Sequence, residues 1–346
     1  MEIGAASQVM EVAASAPVIA TETTDIAGLI GHDTMEDLPL VGRHDAGTGG
    51  IYTYVTYNTG AARVANSSTP IVQGTRSQVG VLPTMDGIAV MAYPQGAGPV
   101  QPGVEDLQEV KVETAVAPAE FATAGNFQAV SKGGTNDFHG SAFWEYNGNA
   151  LNARTFFSAT VPFRVYNDFA VSSGGRVIKN KLFYFVDYEG AREAATSTVL
   201  ESVPLTTWRS GTFATAIKDP LTGLAFPNNQ IPANRISPVS QAIQAYAYPL
   251  HNQGSPTSVA NNWAANYPGN TGFTHYDGFD ARVDYNVTSK DVVFGRISWK
   301  KMPLTVAGVP YPLFRDQARY GESAVLSWNR TISPTVVNEF RFGSTY

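Results

Sequence analysis

The sequence predicts a small α+β domain followed by antiparallel transmembrane β-barrel strands, about seven of a larger barrel. Three observations carry this. Strand-like segments of about ten residues recur after Thr135, the length a tilted strand needs to cross a bilayer. Several of them alternate in polarity with period two, which puts the two sets on opposite faces of a sheet. The connections between them alternate between long and short, as in barrels with long extracellular loops and short periplasmic turns.

The elements follow in chain order. Residues 1–20 are an extended, Ala/Val-rich segment, and residues 21–135 form the small mixed domain. Within it, Asp33 to Leu40 reads as a short helix: Asp33 or Thr34 caps it, Glu36 and Asp37 suit its first turn, and Pro39 stops it. Leu107 to Thr114 alternates and reads as a strand. Gly- and Pro-rich stretches at 42–50 and 94–103 punctuate the rest.

From 136 to 346 the strands are expected at 137–147, 167–178, 181–190, 276–287, 291–301, 320–330 and 335–346. In the fourth, Phe279, Ala281, Val283, Tyr285 and Val287 share one face, and Asp280, Arg282, Asp284 and Asn286 the other. In the third, Leu182, Tyr184, Val186 and Tyr188 oppose Phe183, Phe185, Asp187 and Glu189. Asp187, Glu189, Asp280, Arg282 and Asp284 are therefore expected to face a hydrated lumen. The long connections are 148–166, 191–275 and 302–319; the short ones are 179–180, 288–290 and 331–334. Trp144, Tyr146, Tyr188, Trp299, Tyr320 and Trp328 fall near the expected membrane boundaries, where aromatic girdles anchor barrels.

Composition narrows the function. Charged residues are only 15% of the chain, below the usual ~25%, and aromatics reach 11%. With 29 acidic and 23 basic residues the net charge is -6, which argues against a nucleic-acid partner. There is no cysteine, so disulfides, thiolate metal sites and a cysteine nucleophile are excluded. The five histidines, His32, His44, His139, His251 and His275, show no paired metal-ligand spacing. No nucleophile elbow or phosphate-binding loop occurs, so no catalytic residue, metal or cofactor is expected. Asp187 and Glu189 could serve a glycosidase, but a pair of lumen-facing carboxylates is the simpler account.

Several segments resemble Oar-like TonB-dependent receptors. The stretch Val104-Glu105-Asp106-Leu107-Gln108-Glu109-Val110 is similar to their late plug strand, and Ser131-Lys132-Gly133-Gly134-Thr135-Asn136-Asp137-Phe138 to their plug-to-barrel junction. Leu38-Pro39-Leu40-Val41-Gly42-Arg43 resembles the segment after the first plug helix. Gly74-Thr75-Arg76 and Met85-Asp86-Gly87-Ile88 resemble two further plug motifs, marking Gly74, Arg76, Asp86 and Gly87. Gly174-Gly175-Arg176, Asp187-Tyr188-Glu189-Gly190 and Arg282-Val283-Asp284-Tyr285 match in the barrel part.

The resemblance implies a plug over 21–135 and the start of a barrel over 136–346, in the outer membrane of a Gram-negative cell with the plug on the periplasmic side. It implies uptake of a bulky, unidentified extracellular solute by energy-coupled displacement of the plug. The partners would be the TonB C-terminal domain and outer-membrane lipid. Residues Val9, Met10, Glu11, Val12 and Ala13 sit where such receptors carry their TonB contact, which works by strand addition. Two readings of this segment stay open: a TonB box, or the last strand of an upstream Ig-like domain. The alternative function is a non-catalytic surface or secreted β-rich binding module, such as an adhesin or a sugar-binding domain. The lack of a secretion signal and the uneven strand count lead to the expectation of a longer parent, since plugged barrels have about 22 strands.

Overall fold

The computed structural model describes residues 26–37, 61–62, 71–72, 81–90, 102–115, 125–154, 161, 163–268, 275–307, 314–317 and 320–346. The TonB-contact candidates Val9 to Ala13, and Gly74 and Arg76, lie outside these residues, as does the segment 38–43.

The N-terminal part contains β1 (Ile26–Gly31), α1 (His32–Asp37), the short β2 (Ala61–Ala62) and β3 (Ile71–Val72), β4 (Val81–Met85), β5 (Ile88–Ala89), β6 (Leu107–Ala115) and β7 (Gly125–Ser131). Five of these strands form one sheet in the order β1-β6-β7-β4-β5, antiparallel except for the β4–β7 pair. Its core is apolar: Met35, Met85, Leu107, Val110, Val112 and Phe127 are all buried. Each such side chain contributes about 1.5–3 kcal/mol on burial. The expected strand at Leu107 is present. The expected helix is also present, but it starts at His32, ahead of both proposed caps. The reason is local: β1 runs to Gly31, the chain turns there, and Asp33 falls inside the first turn, where its charge suits the helix dipole.

The second sheet is built from β8 (Ala142–Gly148), β9 (Arg164–Ile178), β10 (Leu182–Glu201), β11 (Trp263–Pro268), β12 (His275–Asn286), β13 (Asp291–Lys301), β16 (Tyr320–Ser333) and β17 (Val336–Thr345). Its order is β17-β16-β13-β12-β10-β9-β8, with β11 beside the far end of β10. Among the described residues every pairing in it is antiparallel and the sheet is open. A separate hairpin, β14 (Leu304–Ala307) with β15 (Phe314–Gln317), lies in the connection after β13.

This sheet is inside-out relative to a soluble one. Along β16, Ser323, Val325 and Ser327 are buried while Leu326 is 51% and Trp328 37% exposed. Phe279, Val283, Ile297, Trp299, Phe340 and Phe342 continue the exposed apolar face across β12, β13 and β17. A face of this kind fits lipid, not water. Trp144, Tyr146 and Tyr320 are exposed near strand ends, whereas Tyr188 is half-buried and donates to Asp277 Oδ1 at 2.5 Å.

Four expectations are corrected. The first barrel strand begins at Ala142, not at 137, because residues 135–139 are engaged off the ladder: Thr135 Oγ1 donates to Asp137 O at 2.8 Å, the Asn136 carbonyl accepts from Arg176 Nη1 at 2.8 Å, and only His139 bridges to Gly174. The third runs to Glu201 instead of ending near 190, and β11 pairs with its extension. There, Ala191 and Ala195 are buried, so small residues carry an alternation that bulky ones carry elsewhere. The connection at 302–319 contains the β14–β15 hairpin. The fourth concerns the charges expected to face a hydrated lumen: Asp187, Glu189 and Asp280 are 1–2% exposed, because the N-terminal sheet packs over them.

Candidate functional site

The chemistry of the chain gathers where the N-terminal sheet meets the inner face of the second sheet. Two charge clusters define this seam.

The first is centred on Asp86. The β4–β5 hairpin turns through Asp86 and Gly87, both with positive φ (49° and 78°). A two-residue turn of this hand matches strand twist, and Asp-Gly is a favoured pair for it. The turn presents the Asp86 carboxylate to three elements. Ser131 donates its backbone N–H to Oδ1 at 3.0 Å and its hydroxyl to Oδ2 at 2.8 Å. Arg296 of β13 donates Nε–H to Oδ2 at 2.7 Å, and Arg282 of β12 approaches Oδ1 at 3.6 Å. Arg282 also donates to the Ser131 carbonyl at 2.9 Å and to Asp284, and its guanidinium lies 4.2 Å from the Phe294 ring centroid.

The register explains why a carboxylate is needed there. Arg282 and Arg296 are directly opposite on neighbouring strands. Like charges so placed repel. Asp86 lies between them and converts a repulsive pair into a bridged one. Arg296 and Asp86 are both almost fully buried, a setting in which an unpaired charge is costly.

The second cluster surrounds the loop 102–106 before β6. Glu189 Oε1 accepts the backbone N–H of Glu105 at 2.6 Å. Glu105 Oε2 in turn accepts the Ser141 hydroxyl at 2.6 Å and lies 4.0 Å from Lys132 Nζ. The chain passes so close here that a side chain at Gly103 would collide with the Glu189 carboxylate. Next to it, the carboxylates of Asp106, Asp187 and Asp280 converge, with oxygens within 4.8 Å of one another. Lys300 pairs with Asp280. Burial, with Asp280 adding to it, pushes the Asp106 carboxyl well above its ordinary range.

The seam thus joins Asp86 to Arg282 and Arg282 to Asp284, and it brings Asp187, Glu189 and Asp280 to a common surface. Sequence reasoning singled out neither Arg296 nor Lys300. Both share the inner face of β13 with Ser298, a period-two signal that was open to view. Asp106 carried no such signal, since only the packing of its loop on the sheet reveals it.

Comparisons with known proteins agree with the architecture. A family model described as an outer membrane beta barrel domain matches residues 130–346. The TonB-dependent transporter Oar of Myxococcus xanthus is 28% identical over 116 residues, which are 30% of this chain and 11% of that protein. Among solved structures, the outer membrane transporter YddB of Escherichia coli superposes with a TM-score of 0.56 at 10% identity, over 92% of this chain and 38% of that one. The siderophore receptor PirA of Acinetobacter baumannii gives 0.55 at 14% identity, over 92% of this chain and 40% of that one. A variant of the ferric enterobactin receptor PfeA of Pseudomonas aeruginosa gives 0.53 at 10%, with the same coverages as PirA. At such identities the likeness is one of fold, and the chain spans well under half the length of each relative. The matched family covers most of the chain, and the inside-out sheet agrees with it: the chain belongs to the outer membrane β-barrel family, and the outer membrane is where it resides.

Proposed function

We propose that this chain is the plug and the first barrel strands of a TonB-dependent outer-membrane transporter. In this reading, residues 21–135 are the plug and 136–346 the barrel start. A bulky solute binds from the extracellular side, and TonB displaces the plug to admit it. Residues 8–14 are the candidate segment for strand addition to the TonB C-terminal domain.

The observation that carries the reading is the seam at Asp86. A plug must be held firmly while closed yet released without breaking covalent bonds. A buried, hydrogen-bonded ion pair between Asp86 and Arg296 meets both needs, since it holds only while its partners stay aligned and desolvated. The likeness to receptors and transporters that are not enzymes supports a mechanism without catalytic residues. The structured connection 202–262, with α2 (Thr206–Arg209) and α3 (Pro238–Ala247), would then face outward and contribute to solute contact.

Residues 1–346 contain no cysteine, so in a full-length transporter with any cysteine elsewhere replaced by serine a single one reports cleanly. Ala129 is buried at the seam, where its carbonyl accepts the Asp86 N–H at 2.9 Å. In cells making the full-length transporter with Ala129→Cys, a membrane-permeant maleimide should label the thiol when TonB and solute are present. It should not do so without TonB. Equal labelling in both strains would overturn the energy-coupled reading.

A further inference from the structure

We propose that Asp106, Asp187 and Asp280 form a divalent-cation site, calcium by preference, that pins the loop 102–106 of the N-terminal sheet to the inner face of β10 and β12. The inference concerns seating alone and does not depend on transport or on TonB.

The argument begins with register. Asp187 and Asp280 are directly opposite on β10 and β12. This is the same arrangement of like charges as Arg282 and Arg296 one pair further along the sheet, with the sign reversed. At the arginine pair the N-terminal sheet supplies the opposite charge, through Asp86. At the aspartate pair it supplies a third carboxylate, Asp106. The repulsion is increased where it would be expected to be relieved.

Lys300 answers part of this by pairing with Asp280. Three carboxylates and one ammonium leave a formal charge of about -2 when all are ionised, the charge that one divalent ion cancels. The remaining oxygens have nothing else to do. Among the described residues, both carboxylate oxygens of Asp106, both of Asp187 and Oδ1 of Asp280 are buried without a hydrogen-bond partner. All three residues are 1–2% exposed and aimed at the same point. A buried carboxylate left unsatisfied in this way is costly unless it is paired or holds a metal.

The donor set selects the ion class. All three ligands are carboxylate oxygens, with no imidazole or thiolate, which favours hard cations over zinc or copper. Oxygens separated by up to 4.8 Å match the span across a calcium shell with metal–oxygen distances of about 2.4 Å. Magnesium demands shorter distances of about 2.0–2.1 Å and strict octahedral geometry. The neighbouring carboxylates Glu105 and Glu189 are already engaged, with Ser141 and with the Glu105 backbone, and so do not compete for the ion.

The test uses the full-length protein purified in detergent and stripped with EDTA. Terbium chloride, a luminescent calcium substitute, is titrated in, with excitation through protein tyrosines. The Tyr276 hydroxyl lies beside the Lys300 side chain at Gly278, which puts a sensitiser at the site. Saturable luminescence displaced by calcium chloride is expected, with a calcium dissociation constant between about 10⁻⁶ and 10⁻³ M. Asp187→Asn and Asp106→Asn should each weaken it roughly tenfold or more, whereas Asp291→Asn, on the far end of β13, should not. In parallel, saturating calcium should raise the unfolding midpoint of the wild-type protein by about 2–4 °C and leave that of Asp187→Asn unchanged. Absence of calcium-displaceable luminescence in the wild-type protein overturns the proposal, and this readout needs no variant to fold. Equal terbium binding by wild type and both asparagine variants also overturns it. So does an asparagine variant that is more stable than a calcium-insensitive wild type, which would mean the cluster holds protons in place of a metal.

Discussion

Asp86 and Arg296 are joined by a 2.7 Å hydrogen-bonded ion pair that spans 210 residues of sequence and links a hairpin turn of the N-terminal sheet to the inner face of β13. Neither residue has solvent to fall back on. Removing one partner of such a pair typically costs about 3–5 kcal/mol, because the survivor is left buried and charged. Asp86→Ala should therefore destabilise the seating of the N-terminal sheet by about 3 kcal/mol. Pulse proteolysis across a urea series would measure it. Adding Arg296→Met to Asp86→Ala should recover about 1–2 kcal/mol, the coupling expected of contacting residues. If the two losses simply add, the pair is not the latch described here.

The junction between the two sheets rests on Gly134. A Cβ there would meet the backbone carbonyls of Tyr184 and Gly175, which cannot move aside. At Gly133 the nearest atom is the carboxylate end of Asp284, 2.9 Å away, which can rotate. Gly134→Ala should sharply reduce the yield of folded protein in membranes, and Gly133→Ala should cost no more than about 1 kcal/mol. Heat-modifiable mobility on gels distinguishes the two.

The connection 202–262 contains a pH-sensitive clasp. Arg235 donates to both carboxylate oxygens of Asp219, at 2.5 and 2.9 Å. This pairing, helped by the Leu221 N–H, holds the Asp219 carboxyl down to about 2. Because the folded value is depressed, the contribution is fully present above the unfolded value of about 3.9 and is lost as pH falls toward 2. Hydrogen-exchange protection across 211–236, taken against the intrinsic rate at each pH, should fall in that window. Asp219→Asn should abolish the pH step and leave fast exchange at pH 7.

The lipid face makes a prediction of opposite character. Ile297 is 56% exposed near the middle of β13. Arginine there should cost about 2–4 kcal/mol of folding into bilayers, as at a bilayer midplane. Glu322→Lys, near the start of β16, should cost at most about 1 kcal/mol. Urea titration in phospholipid vesicles measures both. Equal, small costs would mean that this face does not meet lipid.

Much of the second sheet was legible because its signals are local. The alternation of Phe279, Val283 and Tyr285 with Asp280 and Arg282 can be read from residues two apart, and it survives in the structure. The short turns are likewise local, Asn180 taking a positive φ of 61° in the tight β9–β10 connection. What stayed hidden depends on three-dimensional apposition. No spacing indicates that Asp86 will reach Arg296, or that Asp106 will close on Asp187. The extension of β10 through Ala191 and Ala195 was missed for a different reason: alanine fits a buried face without marking it. The charges at 187 and 280 are read from the sequence as hydrated, yet they are buried, because the strand pattern reports which way a side chain points and not what covers it.

The order of strands in the N-terminal sheet also defines a route for mechanical load. β1 is at one edge and the β4–β5 hairpin, with Asp86, is at the other. Tension entering at residue 26 meets the β1–β6 ladder first, then β6–β7, then β4, and reaches the Asp86 anchor last. The ladders are in series and carry the same tension, so the weakest of them yields first. A pull from that end would peel strands from the near edge inward, leaving the contact with β12 and β13 as the last to release.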